Sequence, residues 1–425
     1  MSGASRREFL GGASALLASL GWEGCVSLPE KGETLPVWKP GELDLHFIYT
    51  GCGENMFYRL PDGTAILNDV GDFYRPKDLA HVPLLPSADR LGGDWVRRYI
   101  ARVYPERTID YAILSHWHVD HGGHADFGRP EDPNGAYRYR TTSDGRRVSG
   151  LLCVAEEFRF ARWFDHQYPE RGTYGTQDSS MKLLSGWIEE QKGLGMKVEP
   201  FRLGAQDQIV PVRDPQAYAG RFSVLNLCAN GRVWDGRDGV IDYAAEHMRA
   251  TKDEYMPQNA LSLGFVMRYG RFGYFAAGDV RDETFTRLDG TKFNAQEHIG
   301  QLIGPVSVCK LGHHGGNDSM STAFARSVRA QVYVGCMWCQ LGCSALTMRR
   351  IEAARSAGAE CPLFLPQLVT YVQREAERET GWKLPHSGAV HVVVKVAPGG
   401  DSYRVYLVDA HDESMRVMAK FDKVC

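Results

Sequence analysis

Four histidines and one aspartate fall within ten residues, SHWHVDHGGH at positions 115–124. On extended backbone His116 and His118 point to the same side, so both imidazoles can reach one point. Asp120 and His121 follow on a turn that two glycines permit, and they can reach a second point nearby. Imidazole and carboxylate together are donors that suit zinc, and iron or manganese also accept them. The stretch therefore predicts a metal site whose remaining ligands come from elsewhere in the chain.

The elements that must position these side chains are short apolar strands. Residues 108–115 (TIDYAILS) are rich in β-branched and apolar residues and predict a buried strand directly before the histidines. A second predicted strand is followed by Asp279, and a third by His313 and His314. Strand ends in a layered α/β protein can meet at one rim, where active sites collect. We therefore expect the three strand ends to form one site.

The other elements are predicted from alternation and turn residues. Residues 43–72 indicate an antiparallel β-meander, and residues 95–103 a helix. The pattern of polar and apolar residues changes at about 125–220, where a polar loop precedes two helical patterns at 155–166 and 179–192. This region is interpreted as an insertion. It either has a small core of its own or roofs the metal site and shapes substrate choice.

The N-terminus carries the features of an export signal. Arg6 and Arg7 precede Phe9 and Leu10, and a short run of small apolar residues follows. This resembles a twin-arginine signal, here assigned to residues 1–28. It implies a periplasmic or secreted protein that has the twin-arginine translocase as its partner during export. Cys25 follows Trp-Glu-Gly instead of small residues, which argues against a lipid anchor.

Composition narrows the class of protein. The chain has 425 residues, of which 43% are hydrophobic and 24% charged, so it can form one large domain or two. The net charge of −3 shows no basic excess, which argues against a nucleic-acid partner. No stretch reaches the roughly 18 apolar residues that a transmembrane helix needs.

Three of the ten cysteines lie close together, Cys336, Cys339 and Cys343 in CMWCQLGC. Their spacing is compatible with a second metal site or a local disulfide. Because there is no second CxxC pair and the segment is apolar, buried free thiols are favoured.

Three motifs resemble those of a known superfamily. HWHVDHGG (116–123), FAAGD (275–279) and KLGHHGG (310–316) resemble the successive motifs of the metallo-β-lactamase superfamily. TGCGEN (50–55) and TAILNDVGD (64–72) are more narrowly similar to the metallo-hydrolase domain of ComEC-type competence proteins. Relatives of that branch include phosphodiesterases such as phosphorylcholine esterases. The resemblance implies an α/β (α+β) fold, a four-layer αββα sandwich, at 42–425. The polar, Pro-containing residues 29–41 before it are interpreted as a linker.

The resemblance also implies roles for the matching residues. Six positions would hold two divalent metal ions: His116 and His118 the first, Asp120, His121 and His313 the second, with Asp279 as a bridge. His313 is preferred to His314 because it comes first off the strand. Asp120 would also orient the attacking water, and His314 would support the site or contact the leaving group. Asp69 would brace the histidine loop from behind.

One position departs from the family pattern. Most members supply a further histidine to the first metal just before the strand that ends in Gly-Asp. Here the segment reads MPQNALSL (256–263), and Asn259 is nearest to that position, as a substrate contact or a weak metal contact. His247 and His166 are less favoured candidates for the missing histidine ligand of the first metal. The first site is therefore expected to be weaker or more open than the second.

The resulting expectation is a hydrolase that uses a metal-activated water, with zinc as the first choice of metal and iron or manganese as alternatives. The branch resemblance favours a phosphodiester substrate, either a small molecule or an envelope polymer. Hydrolysis of a lactone, thioester or β-lactam needs the same ligands and stays open, as does a non-catalytic binding protein on the same scaffold.

Overall fold

Strands and helices alternate along the computed structural model, which describes residues 26–27, 30–51, 53–72, 83–125, 139–170, 172, 174, 182–336, 344–355, 362–367, 374, 377–378 and 388–425. The strands within these ranges are β1 (Val26–Ser27), β2 (Leu43–Phe47), β3 (Asn55–Arg59), β4 (Ala65–Val70), β5 (Thr108–Leu114), β6 (Arg140–Thr141), β7 (Arg147–Val148), β8 (Arg159–Asp165), β9 (Lys197–Val198), β10 (Phe222–Ala229), β11 (Arg232–Trp234), β12 (Val240–Asp242), β13 (Gly264–Tyr269), β14 (Phe272–Ala276), β15 (Thr284–Thr286), β16 (Lys292–Asn294), β17 (Val308–Lys310), β18 (Val332–Gly335), β19 (Leu363–Pro366), β20 (Val390–Val396), β21 (Ser402–Asp409) and β22 (Val417–Val424). The α-helices are α1 (Gly92–Val103), α2 (Val119–Gly122), α3 (Leu151–Ala155), α4 (Lys182–Gly193), α5 (Tyr243–Thr251), α6 (Ala295–Ile303), α7 (Thr322–Val328) and α8 (Ala345–Ala354).

Most strands belong to two large sheets. The first has ten strands in the order β1-β22-β21-β20-β2-β3-β4-β5-β8-β9, and the second has eight in the order β12-β11-β10-β13-β14-β17-β18-β19. The predicted meander is present as antiparallel β2, β3 and β4. From β4 onward the first sheet is parallel through β5 and β8, and the second is parallel from β14 through β17 and β18. Parallel strands run in one direction, so their carboxyl ends lie at one edge.

The two sheets pack face to face over a shared apolar core. Phe47 and Tyr58 of the first sheet meet Phe265 and Tyr274 of the second in one buried cluster. Successive side chains of a strand point to opposite faces of its sheet. The outer face of each sheet must therefore be covered by something else.

Helices cover both outer faces. On the first sheet, α1, α3 and α4 contribute Ile100, Leu151 and Ile188 to a cluster with Trp163. On the second sheet, a cluster around Phe275 includes side chains of α6, α7 and α8, namely Ile299, Phe324 and Met348. The predicted four-layer αββα sandwich is thus confirmed.

The region at about 125–220 is partly built into the first sheet. The helix predicted at 155–166 is wrong, because residues 159–165 form strand β8, which pairs in parallel with β5. Phe160 is buried while Arg159 and Ala161 on either side face out. The second predicted helix is present as α4. Strand β9 then extends the sheet beyond β8.

The N-terminal segment is described only in part. Residues 1–25, with Arg6, Arg7 and Cys25, lie outside the described residues, and so do Cys339 and Cys343. Within the segment interpreted as a linker, Thr34 forms an isolated bridge with Arg416. None of the helices described is long and apolar enough to span a membrane.

Candidate metal centre

The expected convergence of strand ends takes place at the edge between the two sheets. His116 to His121 follow β5, and α2 forms the single turn that carries Asp120 and His121. Asp279 follows β14, and His314 lies in a 3₁₀ turn, Gly312–Gly315, that follows β17. Asp120 and His121 therefore follow a strand of the ten-stranded sheet. Asp279 and His314 follow strands of the eight-stranded sheet.

Four of these side chains direct their donor atoms at one point. His314 Nε2 lies 3.0 Å from Asp120 Oδ2 and 3.3 Å from Asp279 Oδ2. His121 Nε2 lies 3.4 Å from Asp279 Oδ2 and 3.9 Å from Asp120 Oδ2. Tetrahedral ligands with bonds of about 2.0–2.1 Å to zinc are separated by roughly 3.4 Å from one another. The two imidazoles and two carboxylates therefore fit a divalent cation.

Hydrogen bonds on the far side of each ring select the tautomer that a metal requires. His121 Nδ1 lies 3.0 Å from Asp69 Oδ2, and His314 Nδ1 lies 3.1 Å from the carbonyl oxygen of Cys336. With the proton on Nδ1, each ring presents the Nε2 lone pair to the shared point. Asp69 also accepts a hydrogen bond from the backbone N–H of Ser115 at 2.7 Å, so it supports the histidine loop from behind.

The carboxylate of Glu54 also lies beside His121 and His314, and it was not predicted from the sequence. Glu54, His121, Asp279 and His314 lie close enough together to hold a metal ion. The Glu54 carboxylate, however, faces the Nδ1 side of both rings, at 3.4 Å from His314 and 3.7 Å from His121. Asp120, in contrast, faces the Nε2 atoms of both rings, at 3.0 Å from His314 and 3.9 Å from His121, so Glu54 lies behind the rings and Asp120 in front of them. The one sequence feature that could have indicated Glu54 is that it is the only acidic residue in the TGCGEN motif.

His313 is not brought into this group. Its Nδ1 lies 2.6 Å from Asp318 Oδ1, outside the centre. The backbone is left-handed at both His313 and His314, with φ of +41° and +55°, and the two rings lie 6.0 Å apart at 47°. Such backbone costs about 1–3 kcal/mol per non-glycine residue and occurs at functional sites. The turn places the second histidine, not the first, against Asp120, and His314 replaces His313 in the ligand set proposed below.

A second pair of imidazoles, His116 and His118, lies beside the first, with the rings of His116 and His121 4.1 Å apart. His116 Nε2 lies 2.9 Å from His118 Nδ1 and 3.8 Å from Asp279 Oδ2. The same carboxylate oxygen thus faces both groups of histidines, which is the arrangement that a bridging ligand needs.

Asn259 lies in a 3₁₀ turn, Gln258–Leu261, held between the two ligand loops. The Oγ of Ser262 accepts a hydrogen bond from the backbone N–H of Asp279 at 3.1 Å, and the N–H of Leu263 donates to Ser115 O at 2.8 Å. Asn259 is 8% exposed, and its Oδ1 has no hydrogen-bond partner among the described residues. A buried acceptor in this state fits a weak metal or substrate contact.

The two less favoured candidates lie in different surroundings. His247 on α5 accepts a hydrogen bond from the N–H of Thr286 at 3.0 Å and pairs with Asp253 at 3.2 Å, so the structure does not bring it to the centre. His166 follows β8 and lies 3.1 Å from the side-chain oxygen of Gln258, beside the 3₁₀ turn.

Backbone contacts fix the loops that carry these residues. The N–H of Glu54 donates to Asp120 O at 2.8 Å, and the N–H of Gly71 donates to Glu54 O at 3.0 Å. A Cβ at position 71 would lie 1.9 Å from the same Asp120 oxygen, so only glycine fits there. TGCGEN and LNDVG therefore serve as the base on which the histidine loop rests.

The cluster attracts positive charge. Burial opposes protonation of His121 and His314, but Asp279 and the other carboxylates raise the pKa of His121 well above its ordinary value and that of His314 to about 10. Burial likewise opposes the charge on Asp120, but the two histidines lower its pKa to about 2. Burial lowers the pKa of His116 well below its ordinary value. A divalent cation can supply the charge that protons supply in the metal-free protein.

No family model matches the chain, and no curated protein matches it. One similar solved structure is a protein from Parabacteroides distasonis provisionally named a metal-dependent hydrolase. It has 11% identity and a TM-score of 0.31, and the match covers 77% of this chain and 95% of that one. A likeness at this level decides neither fold nor function.

Proposed function

We propose that this protein is a metal-dependent hydrolase with two divalent ions, zinc first among them, in a centre of the metallo-β-lactamase type. The observation that carries the proposal is the convergence of four buried donors from two sheets, at separations that suit a metal. The proposed ligands are His116 and His118 for the first ion, Asp120, His121 and His314 for the second, and Asp279 between them.

The chemistry follows from the donor set. Divalent ions held there would supply Lewis-acid polarisation of the substrate and would favour ionisation of a water near neutral pH. Asp120 provides the carboxylate that orients the attacking water and holds its proton. Asp69 fixes the His121 ring, and Asn259 offers its amide oxygen to the weaker ion or to substrate.

The substrate proposed is a phosphodiester in the cell envelope or outside the cell. The resemblance of TGCGEN, TAILNDVGD and the His-His-Gly step to the ComEC-type branch supports the phosphodiester. The twin-arginine pattern at Arg6 and Arg7 supports the location. Conservative Lys substitutions at both arginines are expected to leave the protein in the cytoplasm. Normal export of that variant would refute the location.

The function is tested by metal analysis combined with a small substrate panel: bis-p-nitrophenyl phosphate, p-nitrophenyl phosphorylcholine, a lactone and nitrocefin. We expect one to two equivalents of metal and hydrolysis of a phosphodiester that chelation abolishes and zinc restores. His411→Ala provides a control, since that side chain is exposed and pairs with Asp409. Full activity without metal refutes the proposal. Metal binding without hydrolysis of any substrate indicates a binding protein on the same scaffold.

A further inference from the structure

A buried ion pair that the proposed chemistry does not use lies behind the centre. Lys310 is 1% exposed and Glu54 is 0% exposed. The Lys310 ammonium contacts the Glu54 carboxylate directly, donates to Gly278 O at 2.6 Å and lies 3.8 Å from Asp279 Oδ1.

Stability alone gives a poor account of this pair. The cost of removing two charges from water offsets most of their attraction, so well-packed apolar residues often serve as well or better. We therefore consider which parts of the chain this ion pair holds in position.

The pair connects three ligand-bearing segments. Lys310 ends β17, four residues before His314. Its ammonium holds the carbonyl of Gly278, the residue directly before Asp279. Glu54 donates its backbone N–H to Asp120 O, and its carboxylate lies 3.4 Å from the Nδ1 of His314. One contact between two side chains thus fixes the relative placement of residues from both sheets.

We infer that the Lys310–Glu54 pair positions Asp120, Asp279 and His314 for metal binding, and that neither side chain ligates the metal. The inference rests on the proposed metal centre. It requires that loss of the pair lower metal affinity even when the net charge of the site is unchanged.

The decisive variant is Glu54→Gln/Lys310→Met. It removes one positive and one negative charge, so the net charge stays constant and no buried charge is left unpaired. We expect metal affinity, measured by competition with a chelator, to fall about 10–100-fold, the range found when residues that orient metal ligands are changed. The absorption spectrum of the cobalt-loaded protein gives a second readout, because it reports ligand geometry independently of activity.

The chain offers a matched control. Lys395 and Asp44 form another buried pair, with Nζ and Oδ2 2.6 Å apart, and both are less than 10% exposed. Asp44 on β2 lies opposite Arg59 in the register with β3. Arg59 is the last residue of β3, whereas Glu54 directly precedes its first residue, so the control pair lies at the other end of this strand. Asp44→Asn/Lys395→Met should therefore alter stability and leave metal affinity unchanged.

Two outcomes overturn the inference: unchanged affinity in the Glu54/Lys310 variant, or an equal loss in the control. If the double variant does not fold, Glu54→Asp decides the question, because it keeps the charge and shortens the side chain by one methylene. A loss of about tenfold supports positioning, and unchanged affinity refutes it. A wild-type protein that binds no metal refutes the proposed centre itself, which separates the two failures.

Discussion

His314 Nε2 lies 3.0 Å from Asp120 Oδ2, although His314 follows a strand of the eight-stranded sheet and Asp120 follows a strand of the ten-stranded sheet. The distance is that of a hydrogen bond in the metal-free protein and of neighbouring ligands in a metal complex. It identifies which of the two adjacent histidines belongs to the centre.

Replacing the two histidines separately should give different results. His314→Ala removes a ligand, so metal affinity should fall by more than the roughly 10–100-fold typical of residues that only support ligands. His313→Ala breaks the contact with Asp318 and should leave metal content close to wild type. Equilibrium dialysis with zinc measures both. A larger loss in His313→Ala would restore His313 as the ligand.

The first ion should be the weaker one. Its proposed imidazole ligands are His116 and His118 alone, and an amide oxygen such as that of Asn259 is a poorer zinc ligand than a third imidazole. A chelator should then remove metal in two steps, with activity lost in the first. Asn259→His should merge the steps. His247→Ala should leave both unchanged, because His247 is held by Thr286 and Asp253; loss of one equivalent in that variant would contradict this arrangement.

Asp69 should matter for metal binding without contacting the metal. Asp69→Asn removes the charge behind His121 Nδ1 and should weaken metal binding about 10–100-fold. Asparagine tolerates the left-handed backbone found at this position (φ +59°), so the loop should keep its course. Asp72→Asn is the control, because Asp72 accepts hydrogen bonds from the N–H groups of Gly92 and Gly93 at the start of α1. It should reduce thermal stability with little change in metal affinity.

Metal binding should strengthen as pH rises. The carboxylates around His121 and His314 raise the pKa of both rings, that of His314 to about 10, so we expect both rings to be protonated near neutral pH when no metal is bound. A metal must displace these protons. We expect the ion held by His121 and His314 to release up to two protons as it binds between pH 7 and 8, measured by calorimetry in buffers of different ionisation enthalpy. Absence of proton release would mean that the rings are neutral before metal arrives.

The same shifts set the pH dependence of stability. A histidine whose pKa is higher in the folded than in the unfolded chain stabilises the fold below the unfolded value of about 6.5. That contribution disappears as pH rises through the folded value, here about 10 for His314. Metal-free protein should therefore lose thermal stability between these limits, whereas metal-loaded protein should not. Equal pH profiles for the two forms would contradict the titration of these rings.

The sequence predicted the parts of the centre that depend on local pattern. The strand before the histidines, the turn with Asp120 and His121, and the position of Asp279 after its strand all follow from short-range periodicity and glycine placement. The four-layer sandwich was expected from the resemblance of the three motifs to those of the metallo-β-lactamase superfamily.

The parts that depend on long-range contacts were not predicted. The spacing of Phe160, Trp163 and Phe164 fits one face of a helix, yet β8 is buried on both faces near its end, and periodicity cannot separate these cases. The choice between His313 and His314 depends on the left-handed backbone at both residues, and the histidine residue type does not predict this conformation. Glu54 meets Lys310 only after both sheets have packed.

Because each sheet supplies half of the proposed ligands for one ion, a bound metal would act as a cross-link between the two sheets, in addition to their apolar core and the Lys310–Glu54 pair. An ion present at 100 times its dissociation constant adds about 2.7 kcal/mol to the free energy of unfolding. That gain exists only while both layers remain together, so it makes their separation more cooperative. The metal supply would then govern the lifetime of the folded protein as well as its activity.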